Sequence, residues 1–487
     1  MNRSIRAVTI FCLLLVVAMV ANLTWIQVFQ TDHLAKNSLD RRQYYDMKSR
    51  QRGQISAGGE ILAHSVKGAN DMYNREYVSD PDAFGPVEGY LSDRYGTAGI
   101  EASQNNILDG TDDSLFTKRF TDTLTGKETQ GANVELTIDP KTQRVAYDAM
   151  TSRGYTGAVV AIRPSTGEVL ALASTPGYDP RSIVTPNAEE AQQNWAALNT
   201  NPESPLLNHA TQQTLPPGST FKLITTAAAM EKNNVNANTT VTAEPQITLP
   251  DSYTTMENYD GERCGGGSVT TLSTAFTLSC NTAFAQLGMA AGTEQFKKTA
   301  KAFGVGESVD DFGLPVQTST VGDIADQPSL AQSSIGQRDV SITPLQDAII
   351  AATIANKGKR MKPYVVKQIT DSSLKPIKTT KPKQVNTAVN EDIANRITQL
   401  MIGSEKGTSG YAGADIASKT GTAEHGENSR SSNPHAWYVA FGPSQNADVA
   451  VAVVVENGGD RGQAATGGSV AAPIGRAVIA QALKDGV

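Results

Sequence analysis

Ser219 and Lys222 are the residues whose types and spacing most directly suggest chemistry. They lie in Pro216-Pro217-Gly218-Ser219-Thr220-Phe221-Lys222, ahead of the helix-forming run Leu223 to Met230. Two prolines and a glycine do not sit inside a helix, so Ser219 is expected at or just inside a helix N-terminus. Residues three apart share a helix face, which brings the lysine amine within reach of the serine hydroxyl. A desolvated lysine can take that proton as a base and leave the serine a nucleophile. The pattern alone is weak, because many helices start with Pro and Ser for capping only. Ser372-Ser373-Leu374-Lys375 also matches it, yet Pro376 follows and no apolar helical run lies behind, so that copy reads as a solvated connection.

Two companions give the first copy its weight. Ser279-Cys280-Asn281 and then Lys419-Thr420-Gly421-Thr422 follow in chain order. Ser-x-Asn recurs at Ser103, Ser431 and Ser444, whereas Lys-Thr-Gly occurs once, so the order of the motifs carries more than any one of them. With this set the chain resembles the penicillin-binding proteins and serine β-lactamases. The resemblance extends from about Val134 to the C-terminus, through Leu136-Thr137-Ile138-Asp139, Gly157 to Ile162, Asn208-His209-Ala210-Thr211 and His435-Ala436-Trp437-Tyr438. Upstream, Arg52-Gly53-Gln54-Ile55 and Gly99-Ile100-Glu101 are similar to the N-terminal module of class B, monofunctional penicillin-binding proteins.

The resemblance implies a peptidoglycan D,D-transpeptidase. Lys222 would deprotonate Ser219, which attacks the carbonyl between two D-alanines of a stem peptide and forms an acyl-enzyme; β-lactams would acylate the same serine. The backbone N–H groups of Ser219 and Thr422 would hold the oxyanion. Ser279 would pass a proton to the departing amine, and Asn281 would bind a substrate amide. Lys419 would supply positive potential, while Thr420 and Thr422, on either side of Gly421, would take the substrate's terminal carboxylate. The partners implied are stem peptides, β-lactams, and division or elongation proteins that meet the N-terminal module. No cofactor is needed, and no His/Cys/Asp spacing suggests a metal site.

Three other readings share parts of this pattern. A D,D-carboxypeptidase differs only in passing the acyl group to water. A β-lactamase needs a dedicated water-activating base, and none can be assigned. A non-catalytic membrane scaffold or β-lactam sensor has no need of the intact set Ser219, Lys222, Ser279, Asn281 and Lys419. His209 and His435 flank motif regions, but the Ser–Lys pair already supplies a base, so both are expected to be hydrogen-bonded core residues.

The elements that position these residues follow from composition and pattern. The 487 residues, 39% hydrophobic, suffice for a membrane anchor, two or three domains and a sizeable core. A net charge of −7 without a basic stripe excludes nucleic acid as a partner. Ala7 to Leu23 is almost continuously apolar and reads as an uncleaved membrane helix within residues 1–29, because Ala18 to Ala21 makes a poor signal-peptide cleavage site. Arg3 and Arg6 precede it and Arg41, Arg42, Lys48, Arg50 and Arg52 follow, so charge does not orient it. The implied substrate and the cysteines argue instead for a plasma-membrane protein with a cytoplasmic N-terminus and an extracytoplasmic catalytic domain. Cys12 lies in the membrane segment, leaving Cys264 and Cys280 as a candidate disulfide, with two free thiols as the alternative. A bridge there would hold Ser279 and Asn281 in register.

Residues 30–130 are polar, lack a catalytic constellation and are too few for a glycosyltransferase domain, so they read as a pedestal or dimerisation module. A hinge is expected over 121–133, and the transpeptidase domain over 131–487. There Val134 to Ile138 alternates as a strand, and Asp139-Pro140 starts a helix. Gly157 to Ile162 and Glu168 to Ala173 form a hairpin. Ala417 to Thr422, Ala436 to Phe441 and Val449 to Val455 supply further strands, and Pro473 to Leu483 a closing helix. Strands at both ends with helices between imply an α+β fold, an antiparallel sheet flanked by helices with an inserted helical subdomain. The family fold agrees with that pattern.

Overall fold

A computed structural model describes residues 2–29, 48–68, 71–115, 124, 130–426 and 432–486. Apolar runs rich in Val and Ala, unbroken in Gly157–Ile162 and Val449–Val455, build the middle of its central sheet. Five strands lie in the order Ala417–Ala423, His435–Gly442, Val449–Val455, Gly157–Ile162 and Val169–Thr175, every pair antiparallel. The last four are buried at every residue, because helices cover both faces. Alternation divides the side chains: Val159, Val451 and Val453 pack with Ala146, Ile474 and Val478, whereas Ala158, Val160 and Ala452 join the cluster that holds Ile350 and Leu345.

The flanking helices are set by local signals. Asp139 caps Pro140–Thr151 by accepting from the Thr142 N–H at 2.8 Å, with proline in the first turn. The closing helix spans Ala472–Asp485, and Pro344–Ala355 is buried along nearly its whole length. Between the outer strands lies the helical region, which includes Lys222–Asn233, Leu272–Thr277, Asn281–Ala291, Thr293–Ala302 and Glu391–Gly407.

A second sheet ties the chain's two halves together. Asn133–Leu136, the strand expected to open the catalytic domain, pairs parallel to Ile55–Ala57 and antiparallel to Val366–Thr370. The six strands of this sheet therefore come from both sides of the expected boundary. The proposed hinge positions 121–123 and 125–129 lie outside the described residues. Arg52 and Glu101, from the two upstream sequence segments, form a buried ion pair at 2.7 Å, and Arg75 also pairs with Glu101. Helix Asn2–Phe29 contains one span, Arg3–Ile26, long and apolar enough to cross a membrane.

The second Ser-x-x-Lys copy, Ser372 to Lys375, is exposed, in the connection between strands Val366–Thr370 and Pro376–Thr379.

Candidate active site

Ser219 sits in a single 3-10 turn, Gly218–Phe221, which runs directly into helix Lys222–Asn233. The helix entry expected there is thus tighter than an α-helical start. Gly218 has φ +55, and a Cβ on it would lie 2.7 Å from the Thr422 carbonyl oxygen. A Cβ on Gly421 would lie 2.7 Å from the Pro217 carbonyl oxygen. Both glycines are needed because the Ser219 turn and the Lys-Thr-Gly strand meet backbone to backbone. That strand, Ala417–Ala423, is at the sheet edge, so its outer side is free for this contact. A third support was not legible in the motifs. Gly336 accepts from the Gly218 N–H at 2.9 Å and has φ +71, with room for no side chain beside Gly218.

Lys222 is fully buried and donates to the Ser279 carbonyl at 2.7 Å and to Asn281 Oδ1 at 2.8 Å. Ser279 Oγ lies 3.2 Å from the same amine. Lys419, also fully buried, donates to Ser279 Oγ at 2.9 Å and to the Thr420 carbonyl at 3.0 Å. One hydroxyl therefore stands between two amines. Phe284 and Phe276 cover them, with ring centroids 5.4 Å from Lys222 Nζ and 5.7 Å from Lys419 Nζ. Burial, and secondarily the charge of Lys419, pushes the Lys222 amine well below the usual lysine range. Burial alone lowers Lys419 to about 7.

The Ser219–Lys222 contact expected from spacing is not a hydrogen bond in this structure: among the described residues, none joins Lys222 Nζ to Ser219 Oγ. The physical reason is competition, since Ser279 and Asn281 bring two carbonyl oxygens within 2.8 Å of the amine. Such contacts often close only when substrate arrives. Asn281 is likewise occupied at both ends, its Nδ2 donating to the Glu257 carbonyl at 3.0 Å.

Ser279 has φ +58, a left-handed conformation uncommon for serine, in the turn between two helices. The next residue, Cys280, forms a disulfide with Cys264, with 6.0 Å between their Cα atoms. The edge strand is braced from behind. Glu405 accepts from Ser418 Oγ, from Tyr438 at 2.8 Å and from Arg476 Nε at 2.7 Å. Thr420 and Thr422 are half-buried on the same strand as Lys419. His209 is buried against Glu456 at 2.9 Å. His435 stacks on His425, and burial lowers it to about 4. Neither histidine hydrogen-bonds to Ser219 among the described residues.

Comparison with known proteins places this arrangement. The penicillin binding protein transpeptidase domain matches residues 157–480, and the penicillin binding protein A dimerisation domain matches residues 52–134. The peptidoglycan D,D-transpeptidase PbpA of Mycolicibacterium smegmatis is 46% identical over 492 residues, covering 100% of both chains. The protein of that name from Mycobacterium tuberculosis is 46% identical over 490 residues, covering 99% of each. Among solved structures, penicillin-binding protein A from M. tuberculosis in its ceftriaxone acyl-enzyme complex superposes with a TM-score of 0.87 at 47% identity, covering 90% of this chain and 99% of that one. Its penicillin G acyl-enzyme complex gives 0.86 at 48% identity, covering 89% and 100%. With both domain types present in order and a relative similar along its full length, the chain belongs to the penicillin-binding protein transpeptidase family, as a class B member close to PbpA.

Proposed function

We propose that the protein is a peptidoglycan D,D-transpeptidase that cross-links stem peptides through an acyl-enzyme on Ser219, and that β-lactams acylate the same serine. The observation that carries this reading is the Ser279 hydroxyl held between the buried amines of Lys222 and Lys419, beside a nucleophile's turn seated on the Lys-Thr-Gly strand.

A neutral Lys222 has two N–H bonds and one lone pair. The N–H bonds match the carbonyl oxygens of Ser279 and Asn281, which leaves the lone pair for a hydroxyl proton. In the reaction that proton comes from Ser219, whose Oγ then attacks the peptide carbonyl carbon. The tetrahedral oxyanion faces the N–H groups of Ser219 and Thr422. Ser219 lies in the first turn of its helix, where N–H groups have no intrahelical acceptor. The Thr422 carbonyl points at Gly218, and the N–H of a strand residue points the same way as its carbonyl. When the C–N bond breaks, the departing D-alanine amine takes the proton through Ser279 from Lys222. An amine of a second strand then attacks the ester carbon, and the serine leaves with its proton returned.

Lys419 gives positive potential and, with Thr420, Gly421 and Thr422, receives the substrate carboxylate. Asn281 retains a second Nδ2 hydrogen for a substrate amide. We assign residues 1–29 to the anchor with a cytoplasmic N-terminus, 30–130 to a pedestal that meets division or elongation proteins, and 131–487 to the extracytoplasmic transpeptidase domain.

Labelling with a fluorescent penicillin, followed by mass spectrometry of the modified peptide, tests the reading. The label is expected on Ser219 and is lost in Ser219→Ala with the fold intact. Labelling that survives in that variant sinks the assignment.

A further inference from the structure

The residue after the nucleophile is anchored to a buried acid that the mechanism does not use. Thr220 is fully buried, and its Oγ1 lies 2.8 Å from Asp347 Oδ2 and 3.2 Å from the Pro217 carbonyl oxygen. Asp347 is itself fully buried on helix Pro344–Ala355 and belongs to no ion pair among the described residues. Among the described residues its Oδ1 has no hydrogen-bond partner.

The proton count decides how these contacts work. A threonine hydroxyl has one hydrogen, yet both of its neighbours, a carboxylate and a backbone carbonyl, would be acceptors. One contact would then lack a proton, and a bare carboxylate oxygen would sit in an apolar core, where an unpaired charge is expensive. A proton on Asp347 removes both difficulties. The carboxyl O–H donates to Thr220 Oγ1, Thr220 O–H donates to Pro217, and the leftover oxygen belongs to a neutral group.

We propose that Asp347 is a protonated carboxylic acid and, through Thr220, a positioning residue for Ser219. Its relay ends on the Pro217 carbonyl, the atom against which Gly421 packs, so one chain of hydrogen bonds holds both the nucleophile's turn and its seat on the Lys-Thr-Gly strand. Burial raises the Asp347 carboxyl to about 7, in the direction this requires. The inference rests on Ser219 being the nucleophile.

Acylation rates of the full-length chain in detergent, measured with a fluorescent penicillin alongside melting curves, test it. Asp347→Asn restores a donor through its amide and is expected to acylate within about threefold of wild type. Asp347→Leu and Thr220→Val break the relay and are expected to slow acylation roughly ten- to a hundredfold, the scale of a small misplacement of reacting groups. Their double variant should be no slower than the slower single one, because both remove one chain. Infrared difference spectra of wild type against Asp347→Asn should show loss of a protonated carboxyl band. Wild-type rates in Thr220→Val, or a carboxylate band in place of the acid band, would overturn the proposal. If Asp347→Leu does not melt cooperatively, Thr220→Val decides alone. A label that maps away from Ser219 in the wild type defeats the catalytic reading; a label on Ser219 with unchanged variant rates defeats only this inference.

Discussion

Lys222 and Lys419 approach one hydroxyl from two sides, and two full positive charges there would repel in a site dried by Phe276 and Phe284. Burial works against this, pushing the Lys222 amine well below the usual lysine range and lowering Lys419 to about 7. Acylation by a penicillin should therefore fall at low pH, as Lys222 gains a proton and ceases to be a base. It should also decline above about 7, as Lys419 loses the charge that attracts the carboxylate. In Lys419→Gln the rate is expected to drop and the alkaline decline to vanish; a decline that persists in this variant would place that titration elsewhere. Stability follows the same group. Unfolded Lys419 titrates near 10.5, so between about 7 and 10.5 the unfolded chain binds more protons. Wild type should thus lose stability relative to Lys419→Met as pH falls through that window, as paired thermal melts would show.

At the scale of elements, the site is three segments locked by close backbone approach. The 3-10 turn Gly218–Phe221 and the strand Ala417–Ala423 meet through Gly218 and Gly421, while the Ser279 turn is held in a left-handed conformation beside a disulfide. Without the bridge, Ser279 and Asn281 lose a covalent tie to the loop that carries Cys264, whose neighbouring segment supplies the Glu257 carbonyl to Asn281. Closing a loop of about 15 residues stabilises by roughly 3 kcal/mol on the chain-entropy account. The double variant Cys264→Ser, Cys280→Ser should be less stable by about 2–4 kcal/mol and acylate more slowly. It should still label on Ser219, because the nucleophile's helix is a separate element. Peptide mapping of the labelled variant checks the last point, and an unchanged melting temperature would remove the bridge from the stability argument.

Across the whole molecule, the N-terminal module is joined to the catalytic half by a shared sheet rather than by a bare linker. Its internal charge cluster is buried, with Arg52 and Arg75 both on Glu101. Glu101→Ala strands two buried guanidinium groups and should destabilise by about 3–5 kcal/mol, the usual cost of breaking a buried pair. Limited proteolysis should then cut within residues 48–115 well before the catalytic half. A cleavage pattern identical to wild type would show that the cluster does not hold the module together.

What the sequence alone determined were features settled over a few residues. The cap at Asp139, the hairpin of Gly157–Ile162 with Val169–Thr175 and the strand Val449–Val455 follow from cap and turn chemistry and from short continuous apolar runs. The order of Ser219, Ser279 and Lys419 named the chemistry, because few sites need those groups together. Tertiary structure alone decided where the groups point. The chain returns after 57 residues to put Ser279 beside Lys222, and after 127 to put Asp347 beneath Thr220. Asn133–Leu136 likewise found partners in both Ile55–Ala57 and Val366–Thr370. Such contacts depend on which buried surfaces and hydrogen-bonding groups meet after the chain has folded back, and no local pattern encodes that choice.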